Sequence, residues 1–380
     1  MKKKILFLSF LCAALFLVAC GGNDQPEGQG AQPTTPVYHP ELTDELLEEL
    51  LAGDEDGIVT IVDFRRNVVN VRQNPTVVAI YDFGILDMLY TIGFEHTGIE
   101  TLIIPMMDTL PPALSWFYDG WQDSGINVVT GGTLFYVDWD ILNLVNPELV
   151  ILGVRSFGAD AAGNRFTDDE TLNFQHDTEQ RFANTTFMWL TIDARIADLT
   201  NDMRANAFSL AQIFPGIGER LFAEIQSIEA EMAAIREVTT NSGMEAVFLM
   251  MLDPGTMTVF LDNSRFGFIF DEFGFAPLDM DLQMWTDQHG FQINSEFLLE
   301  HNPDVIFLLD RTHPPTGWGS ATDNFMNDAI VQRTNAFING HIYSGLPMAS
   351  WYTVVGGFSS ARQKIEDVHR FIDNFEPKND

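Results

Sequence analysis

Thr76-Val77-Val78-Ala79-Ile80-Tyr81-Asp82-Phe83-Gly84-Ile85-Leu86-Asp87-Met88-Leu89, with Ile92-Gly93 three residues on, is the stretch on which the architecture turns. Thr76 to Ile80 is a short, mostly β-branched apolar run of the kind that parallel sheets bury on both faces. Gly84 to Ile92 is expected as a helix that stops at Gly93, because glycine accepts the backbone angles that close a helix C-terminus. Strand followed directly by helix makes a β-α unit. A second unit lies downstream: a helix from Asp138 to Asn146 halted by Pro147, then the continuous apolar strand Leu149-Val150-Ile151-Leu152-Gly153. Upstream, Gly57 to Asp63 and Val68 to Val71 read as paired strands around a turn at Arg65-Arg66-Asn67, preceded by a short acidic helix from Glu41 to Leu51.

Ala194 to Phe214 and Gly218 to Val238 have helical patterns, the second with Leu221, Ile225, Ile228, Met232 and Ile235 on one face. The β-α alternation then resumes. Ala246 to Leu252 and Val305 to Leu309 are expected as strands, and Phe266 to Phe273, Phe297 to Glu300 and Ser359 to Phe375 as helices. Two α/β lobes joined by one helix is the arrangement implied. Residues 1–19 form a leader, 20–57 a tether, 58–215 the first lobe, 216–242 the connecting helix and 243–380 the second lobe.

The leader is expected to place the protein outside the cytoplasm. Lys2, Lys3 and Lys4 precede a short apolar run that ends in Leu17-Val18-Ala19-Cys20, the pattern of an export signal cut before a lipid-modified cysteine. Cys20 would then anchor the mature chain to the outer face of the cell membrane, with the Gly-, Gln- and Pro-rich stretch from Gly21 to about Pro40 as a flexible spacer. Cys12 is lost with the leader, so no internal disulfide is available. The formal charge of −34 over 380 residues repels phosphate backbones and anionic lipid, which excludes a nucleic-acid partner. With 46% hydrophobic residues the chain can build a sizeable core. Gly-rich phosphate loops, Gly-x-Ser-x-Gly elbows and His-Glu-x-x-His pairs are all missing, and no nucleophile or acid-base pair has a recognisable spacing, which argues against an enzyme.

The stretch from Thr76 to Gly93 resembles the first β-α unit of class III periplasmic-type solute-binding proteins. Gly132-Thr133-Leu134 with Asn146-Pro147-Glu148-Leu149-Val150-Ile151 is similar to a second segment of that family, and Asn302-Pro303-Asp304-Val305-Ile306-Phe307 repeats the pattern in the other lobe. The resemblance implies two Rossmann-like lobes joined by a long rigid helix, with a ligand cleft between lobes that move little. Ser264-Arg265-Phe266-Gly267, His289-Gly290, Asp310-Arg311 and Trp351-Tyr352 follow the order found in the branch that binds ferric siderophores, catecholates above all. It further implies a monomer with no intrinsic cofactor, which delivers a ferric siderophore to an ABC permease and its ATPase.

Within that resemblance, Arg155, Arg265 and Arg311 are the cations expected to face the anionic iron centre. His289 and Tyr352 match positions that complete iron coordination when the siderophore itself supplies only four donors. Trp285 and Trp351, with Trp318, are expected as ring-stacking walls, whereas Phe135 and Tyr136 fit a wall or the core equally well. The chemistry suits these residue types. Arginine stays protonated and presents a planar fork of donors, and ferric iron accepts phenolate oxygen and imidazole nitrogen. Arg155 and Arg311 also each follow an expected strand, at the carboxyl edge where α/β sheets bind ligands, an argument independent of the family. Relatives often carry a lysine where this chain has Gly158, so one cationic contact is missing. The polar segment from Ser156 to Asn184 is either a lid or a plain insertion. Haem or a cobalamin-type corrinoid on the same fold is the alternative cargo; a zinc or manganese site would need clustered histidines that the spacing of the eight does not offer.

Overall fold

The computed structural model describes residues 53–54, 56–105, 124–156, 181–182, 184–192, 199–253, 256–262, 264–278, 290–311 and 320–373. Cys20, Trp285, His289, Trp318, Gly158 and most of the 156–184 segment lie outside the described residues, as do the spacer and the acidic helix expected after it.

A hairpin comes first: β1 (Ile58–Val62) pairs antiparallel with β2 (Val68–Arg72), and Arg66 takes a φ of 68° in the turn. The first lobe is a parallel sheet of β3 (Val77–Ile80), β4 (Thr101–Ile104), β5 (Asn127–Thr130), β6 (Leu149–Leu152) and β7 (Thr186–Trp189), in the order β5-β4-β3-β6-β7. All the residues from Val78 to Ile80 and from Leu149 to Leu152 are buried, as the unbroken apolar runs require. Strand order reverses between β3 and β6, so their carboxyl ends diverge into a crevice.

The helices follow their capping chemistry. In α1 (Phe83–Ile92), Asp82 accepts from the amides of Gly84 at 2.8 Å and Ile85 at 3.1 Å, and Gly93 ends the helix at a φ of 92°. In α2 (Trp139–Val145), Asp138 caps the start and Asn146, left-handed at a φ of 53°, caps the end before Pro147. The acid after each Asn-Pro pair has a further task. Glu148 Oε1 accepts from the Thr76 amide at 2.9 Å and the Val77 amide at 3.2 Å, and so ties the start of β6 to that of β3.

Two helices lead out of the first lobe, α3 (Leu199–Ile213) and the 25-residue α4 (Gly218–Ser242), which is about 37 Å long at 1.5 Å per residue. The five apolar residues of the α4 face named above are all buried. The second lobe is a mixed sheet in which β8 (Glu245–Asp253) lies between antiparallel β9 (Thr256–Phe260) and parallel β12 (Val305–Asp310). The short helix α5 (Phe268–Asp271) follows β9, shorter than expected because Gly267 and Gly274 bracket it. The two-residue β10 (Ala276–Pro277) pairs with β8, and β11 (Phe291–Ile293) with β9. Next, α6 (Ser295–His301) repeats the first-lobe device: Asn302 is left-handed at a φ of 47°, and Asp304 accepts from the Glu245 amide at 3.3 Å, tying β12 to β8.

Beyond α7 (Ser320–Met326) and α8 (Asn335–Ile338), β13 (Ile342–Ser344) adds to β12. A π-helical turn, Ala349–Thr353, then leads to α9 (Phe358–Ile372). This last helix returns to the first lobe. Ser359 Oγ and the Ser360 amide donate to Asp87 of α1, while Arg362 pairs with Glu224 and Glu231 of α4. One apolar core runs without a break from Val78 and Ile151 through Ile225 and Ile228 to Phe248 and Phe307. Among the described residues no helix is long and apolar enough to cross a membrane.

Candidate functional site

Two turns, the end of one strand and a π-helical turn bring the site together. Arg155 stands in the turn after β6, held where the Ser156 amide donates to the Gly153 carbonyl and the Gly153 amide to Ser156 Oγ, both at 3.0 Å. Arg265 stands in the turn after β9, where the Ser264 amide donates to the Leu261 carbonyl at 3.1 Å and the Gly267 amide to the Ser264 carbonyl at 2.9 Å. Arg311 follows β12 directly and donates its amide to the Met251 carbonyl at 2.9 Å. Tyr352 comes from the π-helical turn, closed by the bond from the Val354 amide to the Ala349 carbonyl at 2.8 Å.

All three arginines gather around that tyrosine. The guanidinium carbons of Arg265, Arg311 and Arg155 lie 4.0, 4.1 and 5.6 Å from the centre of its ring. Nη2 of Arg155 and Nη2 of Arg265 both donate to the Tyr352 carbonyl at 3.3 Å. Among the described residues no ion pair ties Arg265 or Arg311 to a carboxylate, in a chain that carries 54 of them. Arg265 Nε is buried without a hydrogen-bond acceptor among those residues.

The electrostatics follow from this crowding. Burial pulls the Arg265 guanidinium down to about 10, with Arg155 and Arg311 acting in the same direction and Tyr352 opposing them. Burial alone would push the Tyr352 phenol up, but Arg265, Arg311 and Arg155 together outweigh it and hold the phenol below its ordinary range. Concentrated positive charge with an unused donor is a site suited to an anion.

A cavity of about 110 Å³ opens beside the arginines. Tyr81 and Asp82 at the end of β3, Gly153 and Arg155 after β6, and Thr191 after β7 form its first-lobe side. Arg265, Thr353 and Val355 close it from the second lobe. Tyr81 is fixed by its hydroxyl, which donates to the Gly131 carbonyl, and burial raises its phenol far above the usual range. Leu134, from the Gly-Thr-Leu motif, also reaches the cavity.

Sequence reasoning brought Arg155, Arg265, Arg311 and Tyr352 to one point; Trp285 and His289 lie outside the described residues. Trp351 needs correction as a cleft wall. It is fully buried, packed among Phe248, Phe268 and Phe307, and its indole Nε1 donates to Asp367 Oδ2 at 2.8 Å. Phe135 and Tyr136 are partly buried and do not line the cavity. Asp82 and Thr191 were missed. Asp82 sits inside the deciding stretch, but an aspartate between a strand and a helix reads as a cap. Among the described residues, no three of His, Cys, Asp and Glu gather as a metal site.

Comparison with known proteins bears on the family and the fold. The chain is 26% identical over 370 residues to the petrobactin-binding protein YclQ of Bacillus subtilis, covering 97% of this chain and 98% of that protein. The crystal structure of YclQ superposes with a TM-score of 0.66 over 83% of this chain and 99% of YclQ. The ferric-anguibactin-binding protein FatB of Vibrio anguillarum is 26% identical over 168 residues, 44% of this chain and 50% of FatB. The catecholate-siderophore binding protein VctP of Vibrio cholerae, at 23% identity, shares the fold with a TM-score of 0.65 over 82% of this chain and 99% of VctP. The family described as periplasmic binding protein matches residues 78–347, and the chain belongs to that family of ligand-binding proteins rather than to any enzyme class.

Proposed function

We propose that this protein is the extracytoplasmic receptor of an ABC importer, which captures a ferric siderophore of catecholate type and passes it to a membrane permease and its ATPase. The observation that carries the reading is the convergence on Tyr352 of Arg155 and Arg311, which follow the carboxyl ends of β6 and β12, and of Arg265, in the turn after antiparallel β9. A ferric tris-catecholate is a trianion with flat rings. Guanidinium forks match its charge, its oxygens and its faces together. The names of the petrobactin-binding YclQ and the ferric-anguibactin-binding FatB support a cargo of ferric-siderophore kind. In this reading Tyr352 and His289 complete the coordination of iron only for a siderophore with four donors. Cys20 is the lipid anchor, and residues 58–215 and 243–380 are the lobes on either side of the connecting helix.

The test is quenching of tryptophan fluorescence by ferric catecholate, ferric hydroxamate, haem and cobalamin. Tight binding of the catecholate alone, weakened in Arg155→Ala, Arg265→Ala and Arg311→Ala, supports the assignment. Binding of haem or cobalamin with no response to the arginine changes would overturn the cargo and leave the fold untouched. The anchor is tested separately: Cys20→Ala should move the protein from the membrane fraction to the soluble one.

A further inference from the structure

We infer that Asp82 is the floor of a second subsite in the cleft, one that takes a protonated amine carried on an arm of the ligand; this rests on the functional reading above. Asp82 and Thr191 lie on the first-lobe side of the cavity that Arg155 and Arg265 line, and among the described residues Asp82 is its sole acid. Among the described residues the hydrogen bonds of Asp82 come from neutral donors only: the amides of Gly84 and Ile85 on Oδ1, and the Thr191 hydroxyl on Oδ2 at 2.8 Å. A carboxylate accepts about four hydrogen bonds, so among the described residues Oδ2 keeps an open direction. Burial raises the acid, and these donors, with Arg155 at longer range, only partly offset it.

Capping α1 does not require this charge, because Asn or Ser caps a helix as well as Asp. A negative group beside an anion site repels the anion, so it weakens binding of any cargo that brings no partner for it. With a cationic arm present, the same group becomes an attraction and discriminates against plain trianions. The backbone keeps the space clear. A Cβ at Gly153 would stand 2.6 Å from Asp82 Oδ2, so any larger residue there would press on the carboxylate.

The experiment uses full-length protein and two matched probes, the ferric tris-complexes of an N-ethyl and an N-aminoethyl dihydroxybenzamide. Wild type should prefer the aminoethyl complex. Asp82→Asn, which keeps a capping oxygen, should weaken that complex roughly tenfold, as expected for loss of a charged hydrogen bond, while the ethyl complex binds as well as before or better. Gly153→Ala should reduce the same preference without changing any charge, and it decides the question if Asp82→Asn fails to fold. Equal effects on both probes, or no preference in wild type, would overturn the subsite while loss of ethyl-complex binding in Arg265→Ala still upholds the receptor reading. Failure of wild type to bind either ferric complex would overturn both.

Discussion

The indole of Trp351 and the carboxylate of Asp367 are joined by a 2.8 Å hydrogen bond beneath the turn that presents Tyr352. One residue of the pair faces the core, and the next residue in the chain stands among three arginines. Asp367→Asn should therefore cost about 1–3 kcal/mol of stability, the range for a buried hydrogen bond to a charged group, and should also weaken ligand binding although no cleft side chain is altered. Urea unfolding and ligand titration read the two effects. A loss of stability with unchanged affinity would show that the turn does not depend on this bond.

The arginine cluster predicts a difference between charge and shape. Arg265→Lys keeps a cation but loses the planar fork, and should weaken a ferric catecholate about tenfold. Arg265→Ala should weaken it further, and titration of both variants at two salt concentrations separates the contributions. If lysine restored full affinity, charge alone would explain the site.

Tyr352→Phe separates a ring from a ligand atom. The ring that Arg265 and Arg311 face is kept, while the hydroxyl is lost. Binding of a hexadentate ferric siderophore should change less than about threefold, whereas a tetradentate one should lose about tenfold or more along with its phenolate charge-transfer absorption. Equal losses for the two cargoes would remove the phenol from the coordination sphere.

Lys364 is fully buried in α9, between Asp87 on α1 and Asp367 on its own helix, with Phe268 5.7 Å from its ammonium. Burial lowers it to about 7 against the opposing pull of Asp87 and Asp367. An unfolded lysine titrates near about 10.4, so between about pH 7 and about 10.4 the unfolded chain keeps a proton that the folded chain releases. Stability from this group therefore rises with pH across that window and carries its full cost below it. In Lys364→Met that rise should vanish, which thermal unfolding of both proteins across the window will show; parallel curves would mean that the ammonium stays charged in the fold.

The strands most legible in the sequence were those buried on both faces, Val77–Ile80, Leu149–Leu152 and Val305–Asp310, since a continuous apolar run too short for a helix and rich in β-branched residues suits a sheet interior. Thr101–Ile104, Asn127–Thr130 and Thr186–Trp189 passed unread, because four residues without a flanking repeat carry too little periodicity. The arginines could be found because each follows a strand or belongs to a recognisable turn. Trp351 was misplaced for the opposite reason. Two adjacent aromatic residues look alike in a sequence, and only the packing of the π-helical turn decides which one enters the core. Asp82 went unnoticed because its capping role is a sufficient explanation until the cavity beside it is seen.

The core that passes unbroken from Val78 through Ile225 to Phe307 bears on how the proposed receptor, once full, would be told from an empty one. Swinging the lobes apart would wet that core, and would also break the bonds from Ser359 and Ser360 to Asp87. A receptor so braced cannot announce its cargo by a large change of outline. Small-angle scattering curves of loaded and empty protein should superimpose. In the proposed function, what changes is the field at the mouth of the cleft, where three partly buried guanidinium charges would stand unneutralised before loading and neutralised after it, so a membrane partner would sense occupancy as altered potential and as the cargo itself.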